Sequence, residues 1–368
     1  MPARLASLLL ALALCAAPSV AEDVWTDVER IVAMGDIEGD WDKLISVLRA
    51  AEVIDADLNW TGGKTHLVQT GDRVDRGKYS RKIMDLFRRL EKDAKRAGGY
   101  VHSLIGNHEA MNVYGDLRYT SKEEIEAFRD KDSEKARERF LRQEIERTGG
   151  RCDEPCRKQL EAKFPLGYAE HRQALGPDGE YGRWITEQNA AVKINDTLFV
   201  HGGIGPKFAT EKLRRMNDRV RAELRDFSRL QGGISMDPEG PLWYRGLARE
   251  DERALSGHVD KLLKNFGVRR IVIGHTPTDG AVLPRFAGQV VIVDVGLPEH
   301  YGGRLACLVV EGEHAYAIHR GVKLDIPTDP GAGLVEYLRR CARVDPQPSP
   351  LMSLIRRLEG RAGVMVRD

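Results

Sequence analysis

A chain of 368 residues with 42% hydrophobic side chains carries enough apolar surface for one large or two ordinary globular domains. Its formal net charge of +1, with no basic block carrying interleaved aromatics, removes the electrostatic case for a nucleic acid or a membrane surface as partner. An anionic ligand must be held by a few local groups.

At the N-terminus Arg4 precedes the apolar run "LASLLLALALCAA", and small residues at Ser19 and Ala21 follow it. That order reads as a secretory signal over residues 1–21, cut after Ala21, and places the mature chain in the periplasm or outside the cell. The run is too short to span a bilayer and no later stretch is longer, so no membrane span is expected. Lipid attachment at Cys15 fits poorly because the bulky Leu14 precedes it. Export leaves Cys152, Cys156, Cys307 and Cys341 where disulfides are permitted. Cys152 and Cys156 can bridge if they lie on a helical turn or tight loop. Cys307, inside "RLACLVVEG", reads as a small buried apolar residue. A four-cysteine zinc site would need two distant thiols to reach that pair.

Beyond residue 28, short β-branched runs alternate with amphipathic stretches, the pattern of a layered α/β domain over residues 28–328. "RIVAMGD", "THLVQTGD", "YVHSLIGNH", "TLFVHGG" and "RIVIGHT" each run apolar and break into a Gly-containing polar turn. In α/β sheets ligands collect beyond the carboxyl ends of strands, so these five turns can meet at one site. Helices are expected over Trp41–Ala51, Ser80–Ala97, Ser121–Arg147, Lys207–Leu230 and Asp251–Asn265, with a hairpin turning at Asn195 and Asp196. Strands near Val290 and Leu305 and a hairpin through Gly312 close the domain. Residues 116–185 read as a mostly helical insertion that caps the site, and residues 329–368 as a C-terminal appendage. The charge run "EEIEAFRDKDSEKARERF" reads as a solvated helix face.

Taken in order, "GDIEGD", "GDRVDRG", "GNHE", "HGG" and "GHT" resemble the calcineurin-like metallophosphoesterases, in the phosphoprotein phosphatase branch. "GNHEAMNVYGDLRY", "PLWYRG" and "DVGLPEHYGG", with the signal, look like the Shewanella-like phosphatases within it. The resemblance implies an α/β/β/α sandwich and two divalent metal ions, of Mn, Fe, Zn or Mg with Mn favoured. It places Asp36, Glu38 (where the family has His) and Asp72 on the first ion, and Asp72, Asn107, His201 and His275 on the second. Attack by a hydroxide bridging the ions, with His108 as general acid and Asp75 as its partner, is what the family implies. Arg76 by motif match, Arg245 in "LWYRG", and Asn107 are expected to bind the substrate phosphate.

Hard oxygen donors and imidazoles on strand-end turns suit a dinuclear site without the name. Asp40, Glu109, Tyr119 and Thr276 read as supporting or turn residues, His66 and His102 as core or edge residues, and Met84 and Phe87 as helix core. Glu38 has three open roles: a direct ligand, a ligand through water, or the mark of a weak or absent first metal. The expected substrate is a phosphorylated protein or peptide. The alternatives are a nucleotide hydrolase like the diadenosine tetraphosphatases, and a non-catalytic phospholigand-binding relic.

Overall fold

The computed structural model describes residues 21–328 and 332–365. The expected signal lies almost wholly outside the described residues. The strands are β1 (Val24–Trp25), β2 (Arg30–Met34), β3 (His66–Gln69), β4 (Tyr100–Ser103), β5 (Ala191–Ile194), β6 (Thr197–Val200), β7 (Arg270–Ile273), β8 (Leu283–Arg285), β9 (Val290–Ile292), β10 (Ala306–Glu311), β11 (His314–His319) and β12 (Val322–Asp325). They form two six-stranded mixed sheets, ordered β1-β5-β6-β7-β9-β8 and β12-β11-β10-β2-β3-β4, around one apolar core.

Each sheet has a parallel block, β2-β3-β4 at one end of one sheet and β6-β7-β9 inside the other. These strands are apolar without alternation because both of their faces are covered. Antiparallel hairpins flank them, one turning at Asn195 and Asp196 and one at Gly312 and Glu313. β1, β8 and β12 had no sequence signal of their own. Each is a sheet-edge strand of two to four residues, too short to show a period.

Helix Trp41–Ala50 begins where the Asp40 carboxylate accepts the Lys43 N–H at 3.1 Å. Helix Ser80–Arg96 turns Ile83, Met84, Phe87 and Leu90 inward, and each such burial stabilises by about 2 kcal/mol. His66 and His102 face each other across β3 and β4 with ring nitrogens 3.0 Å apart, against Trp25 and Tyr100. Burial pulls His66 down to about 4 and His102 well below the usual imidazole range, so both stay neutral in the core.

The charged stretch after Ser121 is two helices, Lys122–Glu126 and Ser133–Arg147. Between them the Ser133 hydroxyl accepts the Asp130 N–H and the Asp130 carboxylate accepts the Asp132 N–H, side-chain bonds that compete with helix continuation. One carboxylate of that run, Glu124, is buried rather than solvated. Helices Glu154–Lys163, Tyr168–Leu175 and Glu180–Glu187 follow. Cys152 and Cys156 form a disulfide with Cα atoms 5.3 Å apart, which leaves no four-thiolate set, and Cys307 and Cys341 are buried free thiols. The helix expected over Lys207–Leu230 spans only Leu213–Arg225, ending where Asp226 turns its side chain to the Ser228 N–H.

Helices Ala332–Val344 and Leu351–Met365 make the C-terminal part. Asp345 ties it to β11 by accepting from His319 (2.9 Å), Arg320 (2.9 Å) and Ser349 (2.7 Å). Among the described residues no helix is long and apolar enough to cross a membrane.

Candidate active site

The six parallel strands place six turns at their carboxyl ends. β2 leads to Asp36 and Glu38, β3 to Asp72, β4 to Asn107 and His108, β6 to His201, β7 to His275, and β9 to Asp294. The turns pack with no room for side chains between them. A Cβ on Gly106 would stand 2.2 Å from Asp72 Oδ1, and one on Gly71, at φ +112°, 2.6 Å from the Gly106 backbone. Glu38, Asp72, Asp75, Arg76 and His275 all hold positive φ, a concentration of strained non-glycine backbone typical of functional sites.

His201 lies at the centre. Its Nδ1 donates to the Thr70 carbonyl at 3.0 Å, which fixes the tautomer and leaves the Nε2 lone pair inward. That Nε2 is met by Asn107 Oδ1 at 2.9 Å, His275 Nδ1 at 3.2 Å and Asp72 Oδ2 at 3.2 Å. Several lone pairs converge on one buried point, an arrangement that a cation resolves. Burial, then the neighbouring His201 and Arg245, hold the His275 pKa well below the usual range, so its ring is neutral and able to ligate. Burial raises the Asp72 carboxyl, but the imidazoles around it, His201 and His108 foremost, hold it well below the usual carboxylate range.

The second half of the cluster is acidic. Burial first, and then Asp294, Asp72 and Glu38, push the Asp36 carboxyl well above its ordinary value. Burial likewise takes Glu38 up to about 7 and Asp294 up to about 6. Asp36, Glu38, Asp72 and Asp294 are four buried carboxyl groups, with Arg76 on Glu38 and His108 beside Asp72, and so acidic a cluster is matched to added positive charge. Candidate ligand atoms of Asp72, His201 and His275, and separately of Glu38, Asp72 and His108, lie within 4.8 Å of one another. The first group, with Asn107 beside it, fits one divalent ion, and the carboxylates of Glu38 and Asp72 offer oxygens to a second.

His108 lies in the first turn of the helix Asn107–Tyr114, with its N–H on Asp72 Oδ1 at 2.9 Å. Its Nδ1 meets Asp75 Oδ2 at 2.6 Å, and its Nε2 stands 3.7 Å from both Glu38 and Asp72. Burial alone would lower its pKa; Asp72 and Asp75 more than reverse that and push it up to about 10. A protonated ring is a proton donor and not a metal ligand, which separates His108 from His201 and His275.

Arg76 stands beside Glu38, its guanidinium between the rings of Tyr119 (4.8 Å) and Tyr301 (5.4 Å). Arg245 lies beside the β7 turn, donating to the His275 carbonyl and to Thr276 Oγ1. Two buried groups carry more than the sequence reading assigned them. Glu109 accepts the N–H groups of Asp72 (2.8 Å), Arg73 (2.7 Å) and Gly106 (2.8 Å), so it clamps the second and third turns together. Asp294, the first residue of "DVGLPEHYGG", has no site role in the sequence reading, although "VVIVDVG" repeats the apolar-strand-then-polar-turn signal a sixth time.

The family model of the calcineurin-like phosphoesterases matches residues 29–279. Shewanella-like protein phosphatase 2 of Arabidopsis thaliana is 31% identical over 288 residues, covering 73% of this chain and 71% of the plant protein. An uncharacterized protein of Schizosaccharomyces pombe is also 31% identical over 288 residues, covering 76% of each chain. The crystal structure of a cold-active protein-tyrosine phosphatase from a psychrophilic Shewanella species superposes with a TM-score of 0.65 at 28% identity, over 83% of this chain and 82% of that one.

Proposed function

The chain belongs to the calcineurin-like phosphoesterases and is a metal-dependent phosphatase; on that premise we propose that it is an exported phosphomonoesterase acting on phosphorylated proteins or peptides. The observation that carries the site assignment is the convergence of Asp72, Asn107 and His275 on the His201 Nε2 lone pair, next to the His108–Asp75 pair.

In this reading Asp36, Glu38 and Asp72 would hold one divalent ion and Asp72, Asn107, His201 and His275 the other, with manganese best suited to so oxygen-rich a set. When bound, the two ions lower the pKa of a coordinated water and neutralise phosphate charge. Arg76, beside Glu38, and Arg245, beside His275, with the Asn107 amide, orient phosphate oxygens. His108 gives its Nε2 proton to the departing alkoxide or phenoxide oxygen, and Asp75 stabilises the imidazolium until then. Tyr119 and Tyr301, 40% and 36% exposed, make an aromatic rim beside Arg76. The names of the relatives, a protein phosphatase and a protein-tyrosine phosphatase, support a phosphoprotein substrate; the proposal spans phosphotyrosine and phosphoserine/threonine.

The test is a turnover screen of the chain lacking residues 1–21, across Mn, Mg, Zn and Fe, with His108→Ala as control. Phosphopeptide hydrolysis that needs added metal and falls about 10²- to 10⁴-fold in the variant is expected. Faster turnover of a dinucleoside polyphosphate than of any phosphopeptide would replace the substrate class. Recovery of the processed chain from the periplasm or medium tests export.

A further inference from the structure

The leading edge of the helical insertion is bonded along the whole of the Asp75–Gly77 loop. Thr120 Oγ1 donates to Asp75 Oδ1 at 2.7 Å. Glu124 Oε1 accepts the Asp75 N–H at 3.2 Å, and the Tyr119 carbonyl accepts the Arg76 N–H at 3.0 Å. Ser121 Oγ donates to the Gly77 carbonyl at 3.2 Å. The Tyr119 ring lies against both the Arg76 guanidinium (4.8 Å) and the His108 ring (5.1 Å).

What these contacts hold would not hold itself. Asp75 and Arg76 are consecutive non-glycine residues at φ 75° and 59°, a conformation that persists only where its surroundings over-determine it. The Asp75 carboxylate has one oxygen on His108 and the other on Asn112 Nδ2 (2.8 Å) and Thr120, so its plane is set by three donors. Glu124 is buried inside an otherwise solvated charge run, with Oε2 lacking any hydrogen-bond partner, and its helix gives no reason for that burial. Its contact with the Asp75 backbone does.

We infer that Tyr119–Glu124 is a positioning strap for the proton-donating pair, with Thr120 and Glu124 as its positioning residues. Thr120 keeps the Asp75 carboxylate turned so that Oδ2 meets His108 Nδ1 and Nε2 faces the substrate oxygen. Glu124 and the Tyr119 carbonyl hold the strained backbone from which both Asp75 and Arg76 project. The insertion is thereby tied to the chemistry through residues 119–124, close to its start. This rests on the reading of His108 as general acid, and the experiment separates the two.

A proton donor matters most where the leaving group is poor. Turnover of 4-nitrophenyl phosphate, with a good leaving group, is compared with that of phenyl phosphate in wild type, Thr120→Val, Thr120→Ser and Glu124→Gln. Thr120→Val should lose about tenfold or more in kcat on phenyl phosphate, a part of the 10²- to 10⁴-fold that a positioned acid supplies. It should lose less than about threefold on 4-nitrophenyl phosphate, with KM and bound metal unchanged. Thr120→Ser restores the donor, Glu124→Gln keeps an acceptor oxygen, and both should stay near wild type. Thr120→Ala carries the same comparison if the valine variant does not fold. Equal losses on both substrates, or none on either, overturn the strap. A wild type that hydrolyses neither substrate overturns the reading beneath it.

Discussion

The Glu38 carboxylate lies 2.8 Å from Arg76 Nε while its other oxygen stands 3.7 Å from His108 Nε2. The one residue that departs from the family's metal-binding pattern thus sits between the groups proposed to bind phosphate and to donate the proton. An imidazole there would offer a neutral nitrogen; the carboxylate adds a charge that Arg76 answers.

Two substitutions separate the ligand role of Glu38 from this pairing. Glu38→Gln should lower bound metal from two ions per chain towards one and raise KM by freeing Arg76. Glu38→His should keep two ions and shift preference from Mn(II) and Mg(II) towards Zn(II). Metal content by elemental analysis and activity across the metal series are the readouts. Two ions retained in Glu38→Gln would remove Glu38 from the metal site and leave only its bond to Arg76.

Glu109 carries no proposed chemistry, yet its carboxylate takes three buried N–H groups from two turns. Glu109→Ala leaves them unpaired, so a loss of about 3 kcal/mol in stability is expected. Metal affinity should fall about 10- to 100-fold, because Asp72 loses the support of its backbone. Denaturant titration and chelator competition measure the two effects. Wild-type metal affinity in a folded Glu109→Ala protein would contradict the clamp.

Metal removal has a pH signature. Asp36, Glu38 and Asp294 have folded pKa values above their unfolded ones, with Glu38 at about 7 and Asp294 at about 6. Between the ordinary carboxylate range and these values the metal-free fold binds more protons than the unfolded chain. Its stability therefore falls as pH rises through about 4 to 7. Bound cations offset the repulsion that ionisation creates. Chelator should lower Tm more at pH 8 than at pH 5, and an equal drop at both would count against a cation-dependent acidic cluster.

Asp345 offers a contrast outside the site. Burial opposes its ionisation, but bonds from His319, Ser349 and Arg320 outweigh it and bring the pKa down to about 2. Its stabilisation is present above the unfolded value of about 3.9 and is lost as pH falls towards 2. Asp345→Ala should cost about 3 kcal/mol at neutral pH, since His319 and Arg320 lose their buried partner. It should leave kcat near wild type at 25 °C, because none of its partners touches the site. Thermal melts against pH, with a kinetic control, check this.

The sequence by itself determined the strand-end turns and the residue types on them. A run such as "RIVAMGD" or "RIVIGHT" carries its signal locally: apolar residues that must be buried, then a glycine that lets the next side chain leave the strand. Asp36, Asp72, Asn107, His201 and His275 were legible for that reason, and His108 and Asp75 through the motifs around them. Only the tertiary structure decided which of these atoms face one another and what holds them. The Glu38–Arg76 pair, the Glu109 clamp and the Thr120–Asp75 bond join residues 36 to 45 positions apart across separate turns, and no local period encodes such a contact. Glu124 looked solvated because its run is charged on every side; it is buried because the strained loop it meets has an N–H that needs an acceptor.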